Sequence, residues 1–361
     1  MSYPLPIRIL TREVGALPED TAMLSVRSYW MLTLTGLLLW SGCLGDLPRD
    51  NPLDPRSDRY KPQGRLEGVV TRQYPPYPPL AEVTVHLLPA SNASEGGRLA
   101  YTDPNGRFVF DELPPGDYHL LAQTSGFQAL QDTLTVTVAA GRTQTVTIRM
   151  NALPRFTNYT AVTIHISRWW PATDLYRLEV EATVTDLDDV RDVVRVWLEI
   201  PALNFADTLE ALQPAGRFFK TLLQQELPGG SLHNLLGYEL YLGAFDRTGD
   251  TVYTPAFQLV RVIDDIPVAL APRGLVAVDT TRPVLRWEPI TLPFSFSYRI
   301  DLVRREADLD IPVLTLSGLS ALLDSIRVPQ PLASGVYYWT ISVVDTFGNR
   351  SRSKEAGFQV P

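Results

Sequence analysis

The sequence is short of the groups on which most enzymes and most small secreted domains depend. Of 361 residues, one is a cysteine, Cys43, and four are histidines. A single thiol closes no intrachain disulfide, so any folded part must be held by its hydrophobic cores. Positive charge is in the minority as well: 32 Lys and Arg against 40 Asp and Glu leave a formal charge of -8. That balance argues against nucleic acid, which calls for a clustered basic surface, and against electrostatic adhesion to an anionic leaflet. No apolar run is long enough to cross a bilayer core of roughly 30 Å as a helix. The motifs of catalysis are missing too. There is no G-x-S-x-G elbow, no H-E-x-x-H and no glycine-rich phosphate loop, and none of His86, His119, His165 and His233 opens a His-x-x-Glu zinc pair. The expectation is a protein that is not an enzyme and uses no cofactor.

What is present points to β-structure. Apolar residues make up 45% of the chain, ample for packed cores, which excludes global disorder. Thirty prolines spread along the chain suit many short strands joined by turns and disfavour long helices. The expected fold class is all-β, with three tandem, independent β-sandwich domains.

The stretch Arg27–Cys43 carries one positive charge, about ten apolar residues from Met31, and then Ser41-Gly42 immediately before Cys43. A charged start, a hydrophobic middle and small residues at the cut make a secretory signal, and with the lone cysteine next it resembles a bacterial lipoprotein signal. Trp40 departs from the aliphatic residue usual there, although Leu39 is adjacent. The resemblance implies lipidation of Cys43 and cleavage before it. Residues 1–22 read as an upstream extension ahead of a start at Met23, 23–42 as the signal, and 43–63 as a polar, Pro-rich tether. Leu44 stands where an Asp would imply inner-membrane retention, so the resemblance implies an outer-membrane lipoprotein of the cell envelope, its membrane contact made through the lipid.

Residues 64–152 open on Glu67-Gly68-Val69-Val70, and Val83, Val85 and Leu87 then alternate with polar neighbours. Thr102-Asp103-Pro104-Asn105-Gly106-Arg107-Phe108-Val109-Phe110 reads as a tight Asn-Gly hairpin with Phe108 and Phe110 inward. Leu113-Pro114-Pro115-Gly116-Asp117-Tyr118 adds a turn before Leu120 and Ala122, and Leu134, Val136 and Val138 face Val146 and Ile148 across a turn at Gly141. This stretch resembles the carboxypeptidase regulatory-like domain, a transthyretin-type β-sandwich. The family is the accessory module of metallocarboxypeptidases, and its sandwich is similar to starch-binding domains, which implies a polysaccharide as one class of partner.

Residues 153–266 contain Tyr176, Leu178, Val180, Ala182 and Val184 in alternation, then Val194, Val196, Leu198 and Ile200; Leu209 to Gln225 reads as room for a helical turn. Residues 267–361 contain Pro283–Trp287 and Tyr298, Ile300 and Leu302. These two regions share an internal repeat: Tyr238, Leu240, Leu242, Ala244, Asp246 and Gly249 recur at the same spacing as Tyr337, Trp339, Ile341, Val343, Asp345 and Gly348. Each set predicts a buried strand running into a turn that Asp opens and Gly closes. With Trp287, Leu332–Gly335 and Tyr337 as a corner tyrosine, the last region resembles a fibronectin type III module. The middle region is similar to bacterial immunoglobulin-like domains.

Two sets of residues are candidates for a site. Asp186, Asp188, Asp189 and Asp192 supply carboxylate oxygens of the kind calcium takes, although Trp197 stands where a helical calcium loop has its closing Glu; the alternative is a solvated turn. Tyr74 and Tyr77, in a Tyr-Pro-Pro-Tyr-Pro-Pro loop expected to be polyproline-like, and Trp169 with Trp170 supply flat rings for a sugar or a partner protein, or for a domain edge. His86 and His165 are expected on solvent-facing strand positions, and His119 in a structural role. The leading expectation is a non-catalytic, lipid-anchored envelope protein that presents sandwiches for scaffolding or protein contact. The competing one is a carbohydrate-binding surface lipoprotein.

Overall fold

Strict alternation of apolar and polar residues builds strands that bury one face, and pairs of sheets made of such strands pack face to face into sandwiches. The structure, a computed structural model, describes residues 54, 56–57, 59–91, 96–129, 134–307 and 309–361. The extension 1–22, the signal 23–42, Cys43 and most of the tether lie outside the described residues. Met1–Lys61 is one unit, whose described part is a short turn in which the Ser57 N–H donates to Asp54 O at 2.8 Å. Pro62–Pro361 is the other, a multi-domain β-sandwich with three hydrophobic cores in chain order.

The first module has seven strands, β1 (Gly64–Arg72), β2 (Thr84–Pro89), β3 (Arg98–Tyr101), β4 (Arg107–Leu113), β5 (Gly116–Gln123), β6 (Leu134–Val138) and β7 (Thr143–Met150). They form two sheets, β4-β1-β7 and β3-β2-β5-β6, with β1 antiparallel to β4 and parallel to β7. Leu66, Val70, Phe108, Phe110 and Ile148 from one sheet meet Val85, Leu87 and Leu120 from the other. Gly68 is required here: a Cβ at this position would stand 2.1 Å from Cζ of the Phe108 ring. The expected Asn-Gly hairpin is not a hairpin. Its two arms, β3 and β4, lie in different sheets, and of the central pair only Gly106 has a positive φ, 72°. The Asp103 carboxylate accepts the N–H groups of Asn105 and Arg107 at 2.9 and 2.8 Å, which shapes the turn as a crossover between sheets.

The second module has β8 (Arg155–Ile166), β9 (Leu175–Thr185), β10 (Val193–Ile200), β11 (Phe205–Thr208), β12 (Glu210–Leu212), β13 (Arg217–Leu223), β14 (Tyr241–Asp246) and β15 (Thr251–Tyr253). The order β12-β13-β9-β8 faces β11-β10-β14-β15. A bulge between Val193 and Arg195 shifts the parity of β10, so Val193 and Val196 are buried while Val194, expected inward, is 55% exposed. The segment from Leu209 is mostly strand; 3-10 turns begin only at Gln224.

The third module has β16 (Val268–Ala271), β17 (Val276–Ala277), β18 (Val284–Glu288), β19 (Phe296–Glu306), β20 (Leu309–Ser320), β21 (Ser325–Arg327), β22 (Gly335–Asp345), β23 (Arg350–Arg352) and β24 (Ala356–Val360). Trp287, Tyr298 and Trp339 fill its core. The Tyr337 hydroxyl donates to Ala333 O at 2.8 Å, the corner contact expected; Tyr118 makes the same bond four residues back, to Pro114 O, in the first module.

The second and third modules are not independent. β23 pairs in parallel with β8, with Ser351 opposite His165, so one sheet runs through both.

Candidate functional site

The internal repeat builds two similar turns. Gly249 (φ 96°) and Gly348 (φ 90°) close turns in which the Asp246 and Asp345 carboxylates each accept two backbone N–H groups, from residues two and four ahead. Each turn reaches toward the segment joining its module to the one before.

At the second junction the contacts are complete. Asp345 Oδ2 accepts from Asn349 Nδ2 at 3.0 Å and stands 3.3 Å from Arg261 Nε, on the connecting segment. Asn349 Oδ1 accepts the buried Thr163 N–H at 2.9 Å, and the Ser351 hydroxyl donates to Asp265 O at 2.6 Å.

The first junction collects acids instead. The loop between β9 and β10 brings in Asp186, Asp188 and Asp192, the turn after β14 brings Asp246 and Asp250, and Asn151 comes from the end of the first module. One carboxylate oxygen each of Asp186, Asp192 and Asp246 lies within 4.8 Å of the other two. Asn151 Nδ2 donates to Asp246 Oδ2 and Asp250 Oδ2 at 2.7 and 2.9 Å, and Asp188 Oδ2 accepts the Ala152 N–H at 2.8 Å. Asp192 is 2% exposed, yet neither of its oxygens has a hydrogen-bond donor among the described residues; Asp186 Oδ2, Asp188 Oδ1 and Asn151 Oδ1 are likewise buried without one. The Tyr74 hydroxyl faces Asp192. Arg72 faces Asp188, with its guanidinium bonded to Leu187 O, and Arg247 Nε stands 3.9 Å from Asp192 Oδ1.

The electrostatics follow from that crowding. Burial pushes the Asp186 carboxyl up to about 6, and the charges of Asp188, Asp192 and Asp246 add to the shift against one opposing backbone N–H. Burial also raises Asp192, with Asp246 next, and Asp188, against the Ala152 N–H and Arg72. Asp189, included among the expected ligands, is no part of the cluster. It turns outward to Arg191 (2.7 Å), whose hydrogen bond holds its carboxyl down at about 2. The sequence reading missed Asp250 and Asn151 and took Asp246 for a turn residue only. The repeat was the one signal available, since no spacing rule links residue 151 to 246.

The aromatics part company. Tyr74–Tyr77 closes as a tight turn, with the Tyr77 N–H on Tyr74 O at 2.9 Å, in place of an extended polyproline segment. Tyr74 belongs to the acidic junction; Tyr77 is partly exposed, with the Arg149 guanidinium 4.4 Å above its ring. Trp169 Nε1 donates to Glu355 O at 2.8 Å and Lys354 Nζ lies 4.7 Å from its ring centre, so this ring braces the third module. It also lines an apolar cavity of about 520 Å³ with Ile266, Val268, Ala269 and Ala356. Trp170 is 86% exposed.

His165, expected at a solvent-facing position, is 2% exposed because the connecting segment at Ile263 and the Tyr176 ring cover its face of the sheet. Its Nδ1 donates to Ile263 O at 3.1 Å, Nε2 is 3.1 Å from Asp174 Oδ2, and Tyr176 stacks on the ring at 4.1 Å. His86 is half-buried, 3.5 Å from Gln123 Nε2, and His119 Nδ1 lies 3.2 Å from the Thr135 hydroxyl.

Among curated proteins no sequence match was found. Solved structures similar to this one include the major pilin subunit of Bacillus cereus, at 9% identity and a TM-score of 0.31 over 80% of this chain and 91% of that one. The FN1–FN3 domains of chicken CNTN1 overlap at 12% identity and a TM-score of 0.29, covering 83% of this chain and 99% of that one. A DUF3823 family protein from Parabacteroides merdae does so at 16% identity and 0.24, over 55% of this chain and 99% of that one. At such scores these likenesses carry no functional argument. Residues 65–151, the first module from β1 to Asn151 at the edge of the acidic junction, match the family model of the carboxypeptidase regulatory-like domain.

Proposed function

We propose that the chain is a non-catalytic, lipid-anchored protein of the bacterial cell envelope, an outer-membrane lipoprotein whose three sandwiches serve scaffolding or protein contact. The observation that carries the scaffolding role is the second junction. A sheet continuous through two modules, with Asn349, Ser351 and His165 bonded across it, holds neighbouring surfaces in fixed register. Such rigidity suits display, because little ordering entropy is left to lose on binding. The anchor rests on the sequence alone, through Cys43 and the apolar run before it. Metabolic labelling with an alkyne fatty acid tests it: label on the wild type that is lost in Cys43→Ser is the expected result, and an unlabelled wild type would end the reading.

A second reading, a carbohydrate-binding surface lipoprotein, is favoured by Trp170, an exposed ring next in sequence to Trp169, which itself lines an apolar cavity. A glycan array separates the two. Binding lost on Trp170→Ala or Tyr77→Ala selects the carbohydrate reading, and a flat array selects protein contact.

A further inference from the structure

The two junctions are built on the same turn, and the difference between them points to an ion. At the second, the connecting segment supplies Arg261, whose guanidinium stands against Asp345 Oδ2. At the first, the connecting segment supplies Asn151, whose neutral amide takes the same position against Asp246 Oδ2. The built-in cation is thus replaced by a neutral group, while Asp186, Asp188, Asp192 and Asp250 are added around it. Five carboxylates with Asp246 included face two guanidiniums, and one of those, Arg247, is largely in solvent. Asn151 is 5% exposed with no hydrogen bond to its Oδ1, and Asp192 is 2% exposed with no formed hydrogen bond to either oxygen, only the Tyr74 hydroxyl and the Arg247 guanidinium facing it. Buried polar atoms without partners are rare and costly, and those on a carboxylate more so.

We propose that this junction is a calcium site that locks the first module to the second. The converging oxygens of Asp186, Asp192 and Asp246 form its centre, and the neighbouring Asp188 and Asn151 side chains each keep one buried oxygen without a donor. The donors are all oxygen, with no histidine or thiol among them, which selects a hard cation over zinc. Side chains drawn from two modules and two loops make a yielding cage, which favours calcium over the rigid octahedron of magnesium. Bound there, the ion supplies the positive charge that Arg261 supplies at the second junction.

The test uses the full chain, stripped with chelator and then melted at neutral pH with and without calcium chloride. Calcium at about a hundred times its dissociation constant raises the melting temperature by roughly 5 °C, and magnesium at the same concentration raises it much less. Asp192→Asn abolishes the calcium shift, yet in chelator it melts no lower than the wild type, because it removes a repelling charge. Asp189→Asn keeps the shift. Terbium gives a readout that does not depend on an acid-to-amide variant: its emission, excited through tyrosine and displaced by calcium, falls several-fold in Tyr74→Phe. A wild type melting at one temperature in calcium and in chelator overturns the proposal, as does an Asp192→Asn protein that retains the full calcium shift.

Discussion

Asn349 Oδ1 accepts the backbone N–H of Thr163 at 2.9 Å, across 186 residues of sequence and from one sandwich to the next. Thr163 is 1% exposed and lies on β8, so this N–H has no route to water once Asn349 is shortened. An unsatisfied buried donor costs about 1–3 kcal/mol. Asn349→Ala is therefore expected to lower unfolding free energy by that amount in urea titration. A loss below about 0.5 kcal/mol would show that the contact does not hold the junction.

Gly68 supports a prediction inside the first module. The Phe108 ring lies across its Cα, and an added Cβ would sit 2.1 Å from Cζ. Phe108 is 2% exposed and packs edge-on against Phe110 at 5.9 Å, so the ring cannot retreat without opening the core. Gly68→Ala is expected to destabilise by about 1–3 kcal/mol through overpacking. Gly116→Ala, where open space surrounds the position, is the control and should change little in the same denaturation series.

The all-β class and the three cores were readable because period-two alternation survives in Val83–Leu87, Leu178–Val184 and Tyr298–Leu302, each buried on one face as expected. Where reading failed, the cause was a contact remote in sequence. Val194 looks like its neighbours until a bulge, set by pairing with Phe245, turns it outward. His165 sits in an alternating strand like any exposed histidine, and it is the connecting segment at Ile263, remote in sequence, together with the stacked Tyr176 ring that covers it. The acidic loop was visible at 186–192, but which of its members converge depends on Asn151 and on the turn at Asp246. Asp189 turned away because Arg191, two residues on, was the nearer partner.

The neighbouring tryptophans differ in what they hold. Trp169 donates to Glu355 O and lies under Lys354, whereas Trp170 is 86% exposed. Trp169→Ala is expected to cost about 1–2 kcal/mol, from a lost hydrogen bond and a lost cation–ring contact. Trp170→Ala should stay within about 0.5 kcal/mol of the wild type. Parallel melts check the contrast, and equal losses would contradict the bracing role given to Trp169. The contrast also leaves Trp170→Ala as a clean probe of ligand binding.

Tyr176 sets an alkaline limit at the second junction. Its ring stacks on buried His165 at 4.1 Å, and its hydroxyl donates to Asp264 Oδ1 at 3.2 Å. Burial, with the Asp264 charge next, pushes its pKa from 10.0 up to about 12. A tyrosine raised in this way keeps its proton more firmly when folded than when unfolded. Between pH 10 and about 12 the folded state therefore holds the extra proton, and stability falls with rising pH across that window. Below pH 10 the contribution is present in full. Tyr338, raised to about 12 by burial and Asp310, behaves in the same way. Absorbance titration of the native protein should accordingly show Tyr176 and Tyr338 among the late-ionising tyrosines, and Tyr176→Phe should remove one tyrosine from that late phase. The same variant should flatten the fall in unfolding free energy between pH 10 and 12. If the titration curve and the slope both stay as in the wild type, the hydroxyl is not held by Asp264 in the way the geometry requires.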